Sequence, residues 1–349
     1  MRELIPSIEI AANMKREAER AFLSVVSSDL FREIVKTRPK TGPEYEEKLS
    51  QLFPILAGIA RVTFDAEQLV QIMGCVKGSG TPSLIIKNMP QRKNHPTPLF
   101  QDSMLIDTRE DFLLLEDLMV LGISYLARLE PGSVLERLNK KPKIRIEDSV
   151  MDGTQHSGIS MFGFPLAALG EVIKQFLFVR ETRLHADGSG IRFLNAINGR
   201  EGAVSGITFL DDALALLDEE KKGVLLQSKF IDIRWPSNKP LPPQPVLQIN
   251  EATESGYSFC AGENFNVLDA FEAVASDRKA EGALKSLQKA LRHVERQPHA
   301  LMDGECLIFD ETRCLHSITA RYTEKDPEHA RWLRISTFYR PDDSPGRSV

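Results

Sequence analysis

The chain has 349 residues, of which 42% are hydrophobic and 27% charged, and its formal net charge is −5. This length can bury the core of one large domain or two moderate ones, and the composition is ordinary for a soluble globular protein. The acidic balance argues against a nucleic-acid or anionic-membrane binder, which would carry a clustered basic excess. No apolar run approaches the roughly 18 residues of a membrane helix, and residues 1–5 lack the pattern of a secretory signal.

The four cysteines give a further indication of the protein's setting. Cys75, Cys260, Cys306 and Cys314 form no Cys-x-x-Cys pair, so no zinc knuckle is indicated. We therefore expect a reducing environment and a cytoplasmic location.

Residues 1–135 are predicted to be mostly helical. Apolar residues recur at helical spacing in residues 10–27, 44–61 and 109–129. Between the second and third of these helices, residues 83–87 form a short apolar run after a glycine-rich turn, which is typical of a buried strand.

Residues 140–340 have a different pattern, with short apolar or alternating runs separated by glycines and turns. A helical insertion at residues 262–299 interrupts them. This pattern favours an α+β fold with a double-stranded β-helix (jelly-roll) core flanked by helices, and we expect residues 1–349 to form a single domain. The predicted strands lie at residues 143–146, 157–164, 191–197, 206–209, 224–234, 306–309 and 332–339.

The chain contains two pairs in which a histidine and an acid lie two residues apart, His185 with Asp187 and His293 with Glu295. Such a pair is weak evidence alone, because 7 histidines and 49 acids also produce it by chance. His293 lies in a helical pattern, where residues two apart point about 200° away from each other. His185 precedes a turn in extended chain, where residues two apart face the same side, so His185 and Asp187 can converge on one metal ion.

A second histidine, His316, follows an acidic turn, an apolar strand and another turn in residues 303–316. Either histidine alone could equally have a structural role. Two histidines and one carboxylate on one face of an iron centre, however, leave positions open for a keto acid and oxygen. The three residues together therefore predict a non-haem iron site.

Several segments resemble the clavaminate synthase-like branch of the TauD-type Fe(II)/2-oxoglutarate dioxygenases. They occur in the family's order between residues 84 and 338, whereas the preceding residues are similar only in being helical. The segments are Leu84-Ile-Ile-Lys-Asn-Met-Pro90, His95-Pro-Thr-Pro98, Gly206-Ile-Thr-Phe-Leu210, residues 304–316 and Arg331-Trp-Leu333.

The resemblance implies an oxygenase that uses Fe(II), 2-oxoglutarate and O2. His185, Asp187 and His316 would hold the iron, and Thr208 and Arg331 would bind the far carboxylate of 2-oxoglutarate. A guanidinium suits that role because it can bind a carboxylate through two parallel hydrogen bonds. Halogenating relatives carry a small residue in place of the acid, so Asp187 favours hydroxylation of an unactivated C–H bond, with desaturation as an alternative.

Three features depart from the family pattern. Asp187 stands where many relatives have glutamate, and the segment between His185 and Thr208 is shorter than usual. Arg331 and Arg334 are three residues apart, whereas the family often has two inward arginines four apart. On a regular strand, residues three apart lie on opposite faces, so either a bulge brings both inward or Arg334 is the true anchor.

The resemblance further implies a small-molecule substrate, a free amino acid or a derivative of one. Arg334 could bind its carboxylate and Gln155 its amine, although both could also be ordinary surface or loop residues. A homodimer is possible, and no nucleic-acid or membrane partner is expected. Two alternatives stay open, a zinc or manganese hydrolase or isomerase on the same scaffold and a non-catalytic interaction protein.

Overall fold

A computed structural model describes residues 5–36, 43–91, 115–131, 145–150, 155–159, 190–198, 203–232, 242–260, 271–274, 277–294, 297–320 and 332–340. The helices are α1 (Ala12–Val26), α2 (Asp29–Lys36), α3 (Pro43–Thr63), α4 (Ala66–Lys77), α5 (Leu115–Leu126), α6 (Leu210–Leu214), α7 (Glu219–Leu225) and α8 (Arg278–His293). The strands are β1 (Ser7–Glu9), β2 (Ser83–Lys87), β3 (Glu130–Pro131), β4 (Arg145–Val150), β5 (Gln155–Ile159), β6 (Ile191–Asn198), β7 (Ala203–Phe209), β8 (Phe230–Asp232), β9 (Leu247–Ile249), β10 (Tyr257–Phe259), β11 (Phe271–Ala273), β12 (Gln297–His299), β13 (Cys306–Asp310), β14 (Cys314–Ala320) and β15 (Trp332–Tyr339).

The strands form one large sheet, one small sheet and two separate strand pairs. The large sheet has the order β1-β2-β13-β6-β15-β4-β5, with β3 paired to β15. The small sheet has the order β12-β7-β14, and the pairs are β9 with β10 and β8 with β11. Apart from the parallel pair of β1 and β2, the pairings are antiparallel.

Three hydrophobic clusters cover the faces of these sheets. The helical core joins α1–α5 to one face of the large sheet. The inter-sheet core contains residues of both sheets, and the insertion core joins α6, α7 and α8 to the small sheet. All five residues of strand β13 are buried because the strand has a core on each side. Cys306 and Ile308 belong to the helical core, while Leu307 and Phe309 belong to the inter-sheet core. Alternate residues of a strand face opposite sides, so the four residues of β13 before Asp310 are apolar on both faces.

Local sequence signals set the ends of α4, which leads into the large sheet. Asp65 and Gln68 form a reciprocal capping box at its start, which satisfies two of the backbone N–H groups that a helix start leaves unpaired. Gly78 ends the helix with a φ of 81°, a left-handed conformation that glycine adopts without a steric penalty. The chain then turns at once into β2.

The structure confirms a mixed fold of helices and several sheets. The predicted strands at residues 83–87 and 332–339 coincide with β2 and β15, and the helices at 10–27 and 44–61 correspond to α1 and α3. The helix predicted at 109–129 is described only from Leu115, because residues 109–114 lie outside the described part. The insertion at 262–299 contains α8 but also β11 and β12, and β12 belongs to the small sheet.

The strand predicted at residues 224–234 is confirmed only at Phe230–Asp232 and is wrong at its start. The chain forms helix α7 up to Leu225 and then the short strand β8. Asp218 caps α7 by accepting a hydrogen bond from the backbone N–H of Lys221, and the end of the helix buries Val224 and Leu225 in the insertion core. A short apolar run fits a buried helix end as well as a strand.

Among the described helices, none has the length and apolar character of a membrane-spanning segment.

Candidate metal centre

The residues predicted to form the site differ in how far the structure describes them. His185, Asp187 and Arg331 lie outside the described residues. Gln155 begins β5 opposite Val150, and Arg334 lies in β15 between Asn195 of β6 and Asp148 of β4. The side chains of these two residues are not among those described. Thr208 in β7 and His316 in β14 are described in full, and no group of three metal-binding side chains occurs among the described residues.

His316 lies on the face of the small sheet that meets the large sheet. It pairs with Ile207 across the strands and follows Cys314 by two residues, and both neighbours belong to the inter-sheet core. Its ring centre is 5.1 Å from that of Phe309 on the large sheet. Only 7% of the residue is exposed, so His316 is held between the two sheets with little access to water.

The turn between β13 and β14 brings His316 to this position. Asp310 Oδ1 accepts hydrogen bonds from the backbone N–H of Thr312, at 2.9 Å, and from its hydroxyl, at 2.7 Å. An aspartate that bonds two residues ahead in this way stabilises a tight turn. The backbone N–H of Glu311 donates to the carbonyl of Gly190 at 3.0 Å, which ties the turn to the start of β6.

Two arginines fasten the same turn to the end of α4. Arg313 Nη1 donates to the carbonyl oxygens of Gly78 at 3.1 Å and Gly80 at 2.7 Å. Arg340 donates through Nη2 to Asp310 Oδ2 at 2.6 Å and through Nε to the carbonyl of Val76 at 3.1 Å. Because these groups are largely buried, their interactions are screened less than those of surface pairs. The two arginines therefore hold the turn against the end of α4.

A buried carboxylate lies next to His316. Glu311 Oε1 is 3.0 Å from Nε of Arg192 and 3.6 Å from Nδ1 of His316. The Glu311 side chain is 0% exposed. At 3.6 Å the carboxylate and the imidazole are in electrostatic contact and beyond hydrogen-bond distance. Neither Arg192 nor Glu311 was identified from the sequence, although an arginine within an apolar strand and a second acid in the turn before His316 were available signals.

The strand register places Thr208 away from His316. Thr208 pairs with Leu315, which belongs to the insertion core, whereas His316 pairs with Ile207 of the inter-sheet core. Adjacent residues of a strand face opposite sides. Thr208 is 0% exposed, and its hydroxyl has no hydrogen-bond partner among the described residues. The structure thus does not bring Thr208 together with His316, contrary to the arrangement that the resemblance implies.

Burial favours the thiol form of the cysteines near the turn. Burial raises the pKa of Cys75 to about 12 and also raises the pKa of Cys306 and Cys314. All four cysteines are free. Since the thiolate is the form that binds metals and attacks electrophiles, oxygen and nitrogen ligands are the better donors here. The combination of two imidazoles and one carboxylate suits ferrous iron, and the burial and orientation of His316 are compatible with that use.

Comparison with known proteins shows a likeness in structure along the whole chain. No protein-family model matches the chain, and no curated protein matches it in sequence. A solved asparagine oxygenase with Fe(II), 3-hydroxyasparagine and succinate is similar, with a TM-score of 0.58 and 16% identity over 95% of this chain and 92% of that one.

Structures of the non-haem iron oxygenase OrfP are similar to the same degree. One with Fe and L-Arg has a TM-score of 0.63 and 14% identity, and covers 96% of this chain and 94% of its own. Another, with Fe and alpha-ketoglutaric acid, has the same TM-score and coverage at 15% identity. The chain therefore has the fold of these non-haem iron oxygenases.

Proposed function

We propose that the protein is an Fe(II)- and 2-oxoglutarate-dependent oxygenase that hydroxylates an unactivated C–H bond of a free amino acid or a derivative. The observation that carries this proposal is the full-length likeness to oxygenases solved with 3-hydroxyasparagine and with L-Arg. Fold alone does not determine function. The position of His316 adds support from the site, because the chain has a buried imidazole where the two sheets meet.

The proposed iron ligands are His185, Asp187 and His316. Arg331 or Arg334 would bind the distal carboxylate of 2-oxoglutarate, and Gln155 would contact the substrate amine. Thr208 is left out of this set because of its register. We further propose that residues 1–349 form one domain around a jelly-roll core, while a cytoplasmic location and a homodimer stay predictions.

Bound iron with 2-oxoglutarate and O2 would supply the oxidising chemistry, in which one oxygen atom of O2 goes to the succinate formed with carbon dioxide and the other to the hydroxyl group of the product. The described residues have a positioning task. Phe309 packs against the ring of His316, and the surrounding inter-sheet core keeps bulk water from that side of the imidazole. Exclusion of water and fixed geometry are what a protein contributes to chemistry that its cofactor performs.

A succinate assay with a panel of free amino acids tests this function. With Fe(II), 2-oxoglutarate and air, we expect succinate release to rise with one or a few amino acids and a hydroxylated product to form. His316→Ala should abolish both. Conversion of one of these amino acids with Zn²⁺ or Mn²⁺, without iron or oxygen, would favour the hydrolase or isomerase alternative instead. Failure of every substrate together with failure to bind iron would refute the proposal.

A further inference from the structure

Side chains from three separate segments of the chain meet in the inter-sheet region, where two of them approach the carboxylate of the third. Arg192 lies on β6 opposite Phe309, Glu311 follows the end of β13, and His316 lies on β14. Arg192 alternates along β6 with Phe193, whereas Leu194 and Ala196 of the inter-sheet core share its face. The contact between the three side chains is thus set by strand register in both sheets.

The carboxylate oxygen Oε1 of Glu311 lies close to one nitrogen of Arg192 and one nitrogen of His316. Nε of Arg192 is 3.0 Å away, and Nδ1 of His316 is 3.6 Å away. The fully buried carboxylate requires a compensating charge, which Arg192 provides. Arg192 alone would complete a structural ion pair with Glu311. The position of Glu311 Oε1 beside Nδ1 of His316 therefore needs a separate explanation.

Because Nδ1 of His316 faces Glu311, Nε2 is the ring nitrogen that can bind a metal ion. A carboxylate near Nδ1 favours the tautomer that carries its hydrogen on Nδ1, so the lone pair is left on Nε2. Metal-binding histidines commonly direct their second ring nitrogen to a carboxylate, which fixes the ring and makes it a better ligand. Glu311 places its carboxylate 3.6 Å from Nδ1 of His316, and its own position is fixed by Arg192 and by the backbone bond to Gly190.

We propose that Glu311 is a positioning residue for iron binding, which orients His316 through Nδ1 and directs Nε2 to the metal, and that Arg192 holds Glu311 in place. This inference rests on the proposed function, since it requires His316 to be an iron ligand. It adds a residue outside the predicted ligand set to the machinery of the site.

Glu311→Gln is the variant that tests this role. Glutamine keeps the shape of the side chain beside Arg192, but it lacks the charge that favours the Nδ1–H tautomer. The measurement is an anaerobic titration of the full chain with Fe(II) in the presence of saturating 2-oxoglutarate. The visible charge-transfer absorption of the complex is recorded at each Fe(II) concentration. We expect the Kd for Fe(II) to rise roughly 10- to 100-fold, with a shifted or broadened absorption band.

Glu305→Gln is the matched control. Glu305 Oε2 lies 2.9 Å from Nε2 of His299, so the substitution also removes a charge beside a histidine, but His299 belongs to β12, on the other side of β7 from His316. We expect its Fe(II) affinity to equal that of the wild type. Thermal unfolding of each metal-free variant measures the structural effect of the substitution separately from the metal affinity.

If Glu311→Gln does not fold, the double variant Arg192→Met with Glu311→Leu removes both charges together, so neither is left buried alone. It should also bind Fe(II) more weakly than the wild type. A wild-type affinity in whichever variant folds would overturn the positioning role while leaving the proposed function intact. A wild-type protein that gives no iron absorption would instead refute the proposed function.

Discussion

At the scale of single residues, the turn before His316 depends on buried charges that are paired within the fold. Arg340 connects the carboxylate of Asp310 to the last turn of α4, and the same carboxylate shapes the turn through Thr312. Asp310 is 0% exposed. A buried carboxylate that loses its cation is strongly destabilising, because it has left water without compensation.

Arg340→Met should therefore lower the free energy of unfolding by about 3 kcal/mol or more. Methionine preserves much of the length of the side chain and leaves Asp310 without this partner. Urea denaturation followed by circular dichroism measures the change. Lys285→Met is the control, since Lys285 pairs with Glu281 on the exposed side of α8 and such pairs contribute little. Equal denaturation midpoints for the two variants would contradict the assigned role of Arg340.

At the scale of elements, α3 and α5 cross closely because one helix carries a glycine at the contact. A Cβ atom at Gly122 would lie 2.5 Å from the carbonyl oxygen of Leu56 and 3.1 Å from Cβ of Ala60. The backbone of α3 cannot move aside as a flexible side chain can. Gly122 therefore sets the distance between the two helices that support the helical core.

Gly122→Ala should destabilise the protein by about 1–3 kcal/mol, because overpacking outweighs the higher helix propensity of alanine. Gly282→Ala in α8 provides the opposite case, since nothing lies within 4 Å of a Cβ at that exposed position. It should stabilise by roughly 0.5–1 kcal/mol. The pair can be compared by thermal unfolding, and a stabilising effect of alanine at both positions would show that the helices do not pack as described.

The sequence predicted elements well where local patterns decide the outcome. Strands β2 and β15 were predicted with their observed bounds because apolar and β-branched runs between turns leave few alternatives. The start of the run at residues 224–234 was misassigned because apolar residues alone do not separate a buried helix end from a strand. The capping signal of Asp218 before Glu219 would have favoured the helix.

At the scale of the whole molecule, the sequence could single out a candidate site residue but could not show how the candidate residues are arranged around it. His316 was singled out, and the structure places it between the two sheets. The register that turns Thr208 to the other face, and the convergence of Arg192 with Glu311, depend on which strands pair and in which alignment. A shift of one residue in register reverses the face of every side chain, and nothing in a local motif specifies that alignment.

The most direct test of the account is an iron anomalous difference map from crystals grown without oxygen in the presence of Fe(II) and 2-oxoglutarate. We predict one strong peak in the inter-sheet region, bonded to His316 through Nε2 and completed by His185 and Asp187. A peak bonded to other residues, such as His299 and Glu305, or a protein that takes up no iron would contradict the account.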